Sequence, residues 1–189
     1  MDKKIDKRVL KTKRSLYEGL LEVMKDKEFE EIKVSDICDK ALTNRSTFYD
    51  HFSDKYELLT SLIEDLKQEL IHSLENNNKE TNSLKEYYMM IIKLLIEHID
   101  SNIDIYNSIL KKNNNSIVMD MLYETIYKDI EKELEKYKNS TNIPTEVITK
   151  FYVTAVSNIC LDHIKYPKKY KKDSIINYLE ILIPSNIYE

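Results

Sequence analysis

Residues 29–59 read FEEIKVSDICDKALTNRSTFYDHFSDKYELL, and this stretch decides the fold. It predicts two short helices, over 34–41 and 45–52, with three residues between them. Longer segments with apolar residues at helical spacing precede and follow the pair, over about residues 5–25 and from about Asp54. Two short helices that are joined by a tight turn and held between longer ones are typical of a helix-turn-helix DNA reader.

The second short helix carries side chains that suit a DNA groove. If Phe48 and Phe52 pack on the first short helix, the polar residues of this segment face outward: Arg45, Ser46, Thr47, Tyr49 and Asp50. Arginine can hold guanine O6 and N7 with two hydrogen bonds, and serine or threonine can reach bases or phosphates. The side chains of Tyr49, His51 and Lys55 suit phosphate oxygens, which set the register of a protein on the duplex.

Over residues 29–59 the sequence resembles the DNA-binding signature of the TetR/AcrR family of transcriptional repressors, and the core of the match is RSTFYDHFSDKYELL at 45–59. The resemblance implies an all-α homodimer. It implies a helix-turn-helix DNA-binding domain over 1–53 and a helical effector-binding and dimerisation domain over 54–189, entered by a linking helix over 54–75. The DNA-binding residues that it implies, with nearby polar candidates, are Lys33, Ser35, Asn44, Arg45, Ser46, Thr47, Tyr49, His51 and Lys55.

Four positions depart from the family pattern, and one of them is Thr43, which stands where the family usually has an apolar residue. Leu42 stands where the family usually has a glycine, and left-handed backbone costs a leucine about 1 kcal/mol or more, so we expect this turn to take negative φ. Lys33 replaces the usual Ser/Thr cap, so either Ser35 caps the first short helix or Lys33 reaches a phosphate. Asp50 either accepts from a cytosine amine or points to solvent, and we favour solvent. Asn44 is expected to cap the second short helix through its side chain.

Composition excludes several classes of protein. Gly19 is the single glycine, which excludes a P-loop, a dinucleotide-binding fingerprint and a nucleophile elbow. With only three prolines, the chain is predicted to form about nine helices and no strand. Cys38 and Cys160 lack the spacing of a metal or redox motif, which favours buried thiols in a cytoplasmic protein. No membrane span, signal segment, cofactor or metal site is expected.

Charge is unevenly distributed along the chain. Residues 1–17 hold seven Lys or Arg and two Asp, whereas residues 56–189 hold 16 Lys and 21 acidic residues. A basic end on an acidic body indicates that only that end meets a polyanion.

Beyond about residue 75 the resemblance is one of layout. It implies a ligand cavity among the middle helices, and a four-helix bundle formed by the last two helices across a dimer. Aromatic, apolar and histidine side chains form the pocket candidates: Tyr88, Ile91, His98, Tyr106, Met121, Tyr123, Tyr127 and Tyr152. Ordinary core packing is the alternative for them, and the richness of the whole chain in tyrosine favours it. His98 and His163 are read as hydrogen-bonded core residues and not as metal ligands.

The dimer candidates come from the two last predicted helices: Phe151, Ala155, Ile159, His163, Ile175, Leu179 and Leu182. Apolar residues nearly encircle the helix over 147–164, which suits contact with both its own subunit and a partner. The resemblance therefore implies a repressor, and not an enzyme, that binds a palindromic DNA operator as a homodimer and is released by an unknown small molecule. The alternative is a C-terminal domain that binds a protein partner, as in co-activators of dihydroxyacetone-kinase operons.

Overall fold

The structure is a computed structural model that describes residues 7–76, 84–110, 127, 131 and 143–183. These residues form eight α-helices and no strand, so the all-α prediction is confirmed. The helices are α1 (Lys7–Met24), α2 (Val34–Ala41), α3 (Arg45–Tyr49), α4 (Lys55–Asn76), α5 (Leu84–Ser101), α6 (Ile103–Leu110), α7 (Thr145–Lys165) and α8 (Lys172–Leu182). A 3-10 turn at Phe29–Glu31 links α1 to α2. A further helix predicted around 118–137 falls outside the described residues, except for Tyr127 and Glu131.

The observed α3 is shorter than predicted, because it ends at Tyr49 and not at residue 52. The next helix begins at Lys55, and the two residues before it take part in its capping. Asp54 Oδ1 accepts the backbone N–H groups of Tyr56 and Glu57, each at 2.8 Å. Glu57 reaches back to accept the Ser53 hydroxyl and the Ser53 N–H, each at 2.6 Å, and these two hydrogen bonds lower the pKa of the Glu57 carboxyl. Reciprocal capping of this kind satisfies donors that the first turn of a helix leaves free.

The chain divides into two compact units. The first contains Met1–Leu66 with Asp104–Met121, and the second contains Lys67–Ile103 with Leu122–Glu189. Helix α4 continues past Leu66, where the first segment of the first unit ends. The domain boundary expected at residue 54 stays a prediction. None of the described helices is both long and apolar enough to cross a bilayer.

The first unit is held by a core shared among its helices. The fully buried side chains of this core are Leu16, Leu20, Met24, Phe29, Ile37, Phe48, Leu58 and Leu59. Helix α1 packs on α2, and α2 packs on α3. The Tyr17 hydroxyl lies 2.9 Å from Asp65 and 3.0 Å from Ser61, and Lys13 pairs with Asp65, so α1 is also tied to α4. The buried thiol of Cys38 lies in this unit, and burial raises its pKa.

In the second unit α5, α7 and α8 pack against one another. A buried imidazole joins them, since His163 Nδ1 lies 2.7 Å from the Tyr170 carbonyl and Nε2 lies 2.8 Å from Asp100 Oδ1. Each ring nitrogen therefore has a hydrogen-bond acceptor within reach. The prediction that His163 is a hydrogen-bonded core residue is confirmed. Burial of Cys160 in α7 raises the pKa of its thiol to about 12.

Candidate nucleic-acid interface

Helix α3 is a short rod anchored on one side. Phe48 is completely buried and Phe52 nearly so, and their ring centroids lie 6.0 Å apart. With these rings fixed inside the unit, the opposite side of the helix faces solvent. Arg45, Ser46 and Tyr49 are exposed and Thr47 is half-buried. Asp50, directly after the helix, is also exposed, as expected for a side chain in solvent.

The turn between α2 and α3 differs from our prediction. Leu42 has φ 51° and ψ 42°, which is left-handed backbone, whereas we expected negative φ. The turn is closed by hydrogen bonds from the Leu42 N–H to the Asp39 carbonyl at 3.4 Å and from the Thr43 N–H to the Cys38 carbonyl at 3.0 Å. This closure of a helix end requires the left-handed residue, so the geometry of the turn prevails over the preference of leucine.

Replacing Leu42 by glycine is expected to raise the free energy of unfolding by about 0.5–1 kcal/mol. Glycine removes the steric cost of left-handed backbone, and its greater freedom in the unfolded chain cancels part of that gain. The measurement is urea unfolding of the purified protein. Leu42→Ala is the matched control because it removes the 95% exposed apolar side chain but keeps Cβ. Equal stabilisation by alanine and glycine would show that exposure, and not φ, is the cause.

The start of α2 is capped by a residue that the sequence did not suggest. Asp36 accepts the backbone N–H of Lys33 at 3.0 Å and the ammonium of Lys27 at 2.8 Å. Lys27 and then the Lys33 N–H lower the pKa of the Asp36 carboxyl. Asp36 therefore caps the start of this helix in place of Ser35, which was one of the two alternatives that the sequence left open. The side chain of Lys33 is exposed, which leaves contact with a phosphate as its remaining predicted role.

The structure also shows the surroundings of Asn44 and His51, two residues that were predicted to contact DNA. Asn44 precedes α3 as expected, but its side chain makes no capping hydrogen bond, so that part of the prediction was wrong. The Asn44 side chain is exposed beside Arg45. His51 is half-buried, and its ring centroid lies 6.4 Å from that of Phe52.

Lys55 is engaged inside the first unit. Its ammonium donates to the backbone carbonyls of Phe29, Glu30 and Ile32, at 2.8, 2.8 and 3.0 Å. An ammonium has three N–H donors, so these three bonds use all of them. The nitrogen also lies 5.0 Å from the ring centroid of Phe29 and 5.4 Å from that of Tyr56. This arrangement corrects the phosphate contact predicted for Lys55, because no donor is left to reach a phosphate.

The residues around Lys55 complete a fixed junction between the 3-10 turn and α4. The rings of Phe29 and Tyr56 meet edge to face with centroids 5.2 Å apart, and the Tyr56 hydroxyl donates to Glu30 at 2.8 Å. The sequence contained the signal for this junction, since Phe29 is an isolated apolar residue in a charged stretch. The junction positions the link that leads into α2, the helix that supports α3.

Part of the basic N-terminal segment is also used by the fold. Lys13 pairs with Asp65 at 3.0 Å, and Arg14 pairs with Glu18 at 3.3 Å. Lys7, Arg8 and Lys11 are exposed along α1.

Two family descriptions match this chain, and one of the matches includes α3. Residues 16–62 match the family described as "Bacterial regulatory proteins, tetR family". Residues 88–185, about half of the chain, match a TetR "Transcriptional regulator C-terminal region". The chain belongs to the TetR family. TetR proteins are DNA-binding transcriptional regulators and not enzymes.

Individual proteins resemble this chain in sequence or in fold. The chain is 39% identical over 74 residues to the HTH-type transcriptional regulator YxbF of Bacillus subtilis, and it covers 20% of the length of that protein. The structure of FadR from Bacillus subtilis in complex with stearoyl-CoA has a TM-score of 0.67 at 15% identity, covering 93% of this chain and 99% of FadR. The dihydroxyacetone kinase operon activator DhaS has a TM-score of 0.52 at 24% identity, covering 94% and 98%.

The effector candidates of this TetR chain are divided between the two compact units. Tyr106 belongs to the first compact unit, while the other described candidates belong to the second. Within the second unit the rings of Tyr88 and Tyr152 lie 6.1 Å apart, and burial raises the pKa of Tyr152. Burial also lowers the pKa of the half-buried His98. Ile91 is half-buried on α5, Tyr127 lies 3.2 Å from Glu131, and Met121 and Tyr123 fall outside the described residues.

The dimer candidates of the TetR chain fall into a buried group and a more exposed group. His163, Ile175 and Leu179 are buried inside one protomer, so they cannot reach a partner directly, which corrects that part of the prediction. Phe151 and Leu182 are 68% and 66% exposed, Ala155 is exposed and Ile159 is half-buried. Three exposed apolar residues were missed: Val147, Tyr178 and Ile181. Val147 could have been found from its spacing of four residues to Phe151 and eight to Ala155.

Proposed function

We propose that this TetR chain acts as a homodimeric repressor that binds a palindromic operator and leaves it when a small molecule binds. The observation that carries the proposal is the outward side of α3, where Arg45, Ser46 and Tyr49 are exposed while Phe48 holds the helix in the core. Such a helix end can enter a major groove and present its side chains to base edges.

The proposed dimer is supported by the exposed apolar side chains of α7 and α8. Val147, Phe151 and Ala155 line an open groove along α7, bordered by Lys150 and Thr154. Exposed apolar surface of this kind usually marks an interface. A two-fold dimer places two reading helices at half-sites about 34 Å apart, so the second contact becomes intramolecular.

Replacing Phe151 by aspartate is expected to weaken the dimer roughly 100-fold or more, because two-fold symmetry introduces two charges into one apolar interface. Sedimentation velocity over a dilution series measures the dissociation constant. Leu10→Asp is the control, since Leu10 is a half-exposed apolar residue of α1 outside the proposed interface. A monomeric wild-type protein at micromolar concentration, or an undisturbed F151D dimer, would argue against this interface.

The operator is found by selecting bound fragments from a random duplex pool with purified protein. The expected product is a palindrome whose half-sites are about one helical turn apart. Failure to enrich any sequence would overturn the proposed operator binding, and enrichment of a single half-site would overturn the two-fold arrangement.

Replacing Arg45 by alanine is expected to cost about 1–3 kcal/mol of operator affinity and to relax the base preference at one position of each half-site. Fluorescence anisotropy on the selected operator and its single-base variants measures both effects. Arg14→Ala is the matched control, because it removes the same charge from an exposed arginine of α1. Equal losses in the two variants would reduce Arg45 to a general electrostatic role.

The last part of the proposal is that a small molecule releases the protein from DNA. Its support is the fold shared with FadR of Bacillus subtilis, which was solved with stearoyl-CoA, together with the aromatic pair Tyr88 and Tyr152 in the second unit. A protein partner is the second candidate, and the shared fold of the operon activator DhaS favours it. Thermal shifts against acyl-CoA thioesters and a metabolite panel separate them. A ligand that raises the melting temperature and releases DNA supports the first candidate, and no shift across the panel favours the second.

A further inference from the structure

The turn between α7 and α8 is the most cationic short segment of the second unit. Residues 165–172 read KYPKKYKK, with five lysines and no acidic residue. The remainder of 56–189 holds 11 lysines against 21 acidic residues, so this turn is a positive island on a negative body. The expectation that only the N-terminal end is basic does not account for it.

The backbone of this turn is fixed. The Tyr166 N–H donates to the Asp162 carbonyl at 2.8 Å, and the Lys169 and Tyr170 N–H groups donate to the Tyr166 carbonyl at 2.9 and 3.0 Å. Inside the unit His163 Nδ1 holds the Tyr170 carbonyl at 2.7 Å. The lysines therefore extend from a defined scaffold, which reduces the entropy lost when a ligand orders them.

Not all of these lysines are used by the fold. Lys172 lies 3.6 Å from Glu97, and Lys169 stacks on the Tyr170 ring at 4.8 Å. Lys168 and Lys171 are exposed, and within the described part of the chain their ammonium groups make no hydrogen bond or ion pair. Lys171 precedes the first residue of α8, where the helix dipole disfavours positive charge. Within the described part of the chain, the positions of these two lysines do not stabilise the fold. Binding of an anionic partner is therefore the simplest explanation for them.

We propose that the basic turn, residues 165–172, binds the phosphate backbone of duplex DNA as a second contact besides α3. The proposal rests on the DNA-binding function. Lysine and tyrosine side chains are common phosphate contacts, and a protein held at its operator meets further phosphates at high local concentration. A membrane is the weaker fit, because the turn contains no Leu, Ile, Val, Phe or Trp that could enter a bilayer.

The phosphates can belong to the flanks of the bound operator or to a second duplex. The test compares wild type with K168Q/K171Q. The matched control is K85Q/K93Q, which removes the same charge from two lysines of α5. Anisotropy over a KCl series uses the bare operator, the operator with long flanks, and a random-sequence duplex of equal length. A separate arm asks whether an immobilised operator complex captures a second, labelled duplex.

If the flanks supply the phosphates, K168Q/K171Q lowers affinity for the flanked and random duplexes about tenfold near 0.1 M salt. Its salt slope falls by about 0.9 for each lost contact, while the bare operator and the control are unaffected. If a second duplex supplies them, the loss is confined to the capture arm. Equal behaviour of the two double variants in every arm would overturn the proposal. The proposal would also be overturned if K168Q/K171Q lost binding to phosphatidylglycerol vesicles but kept its binding to every DNA. Failure of wild type to select an operator would count against the proposed repressor function only, because the random-duplex arm remains informative.

Discussion

Gly19→Ala is expected to destabilise the first unit by about 1 kcal/mol and to lower operator affinity more than tenfold. A Cβ at this position would lie 2.8 Å from the Ile37 carbonyl oxygen, 3.0 Å from the Ala41 nitrogen and 2.9 Å from Ala41 Cβ. Two of these atoms are backbone, so α2 must move away from α1. Overpacking of this kind costs about 1–3 kcal/mol, which exceeds the gain of about 1 kcal/mol in helix propensity.

The effect on DNA binding follows because α2 supports α3, and a displaced α2 carries Arg45 with it. Urea unfolding and operator anisotropy measure the two effects. Glu18→Ala is the matched control, since it changes an exposed neighbour on α1 and meets no backbone. Gly19→Val should be worse than Gly19→Ala. A stabilised Gly19→Ala protein with normal affinity would mean that the α1–α2 contact tolerates a methyl group.

Lys55→Met is expected to lower the free energy of unfolding by about 2 kcal/mol while leaving the salt dependence of DNA binding unchanged. Methionine keeps much of the chain length and removes the ammonium that donates to the Phe29, Glu30 and Ile32 carbonyls. A hydrogen bond from a charged donor contributes about 1.5–3 kcal/mol, and solvent that enters the junction replaces part of the loss. Affinity falls because the link into α2 loosens.

A phosphate contact would behave in the opposite way. Its loss would leave stability intact and lower the salt slope by about 0.9 for each protomer. Lys33→Met is the control for that outcome, because Lys33 is exposed. Lys55→Arg provides a second arm: the planar guanidinium keeps the charge but cannot direct three donors at the same carbonyls. Full stability in Lys55→Arg with a reduced salt slope in Lys55→Met would restore the phosphate role.

The residues of α3 could be predicted from the sequence because their roles are local. The aromatic pair Phe48 and Phe52 at a spacing of four defines the buried side, and the polar residues between them then face outward. The end of α3 at Tyr49 was harder to predict. Spacing alone does not show that the helix ends at Tyr49, three residues before Phe52.

Sequence reasoning failed where backbone hydrogen bonds, or the choice between packing within and between protomers, decide the structure. Lys55 bonds to carbonyls 23 to 26 residues earlier, and a backbone acceptor leaves no mark on the identity of its residue. Leu42 took left-handed backbone because two hydrogen bonds close the turn around it. His163, Ile175 and Leu179 were assigned to a dimer because apolar spacing identifies a buried side without showing which molecule buries it.

The two cysteines of the chain, Cys38 and Cys160, lie in different compact units, and both are buried. A thiol reacts with alkylating reagents as the thiolate, and burial raises the pKa of both groups, that of Cys160 to about 12. Labelling in the native protein therefore requires local opening. Without any added label or engineered residue, pulsed alkylation followed by peptide mass spectrometry would time the opening of each unit separately.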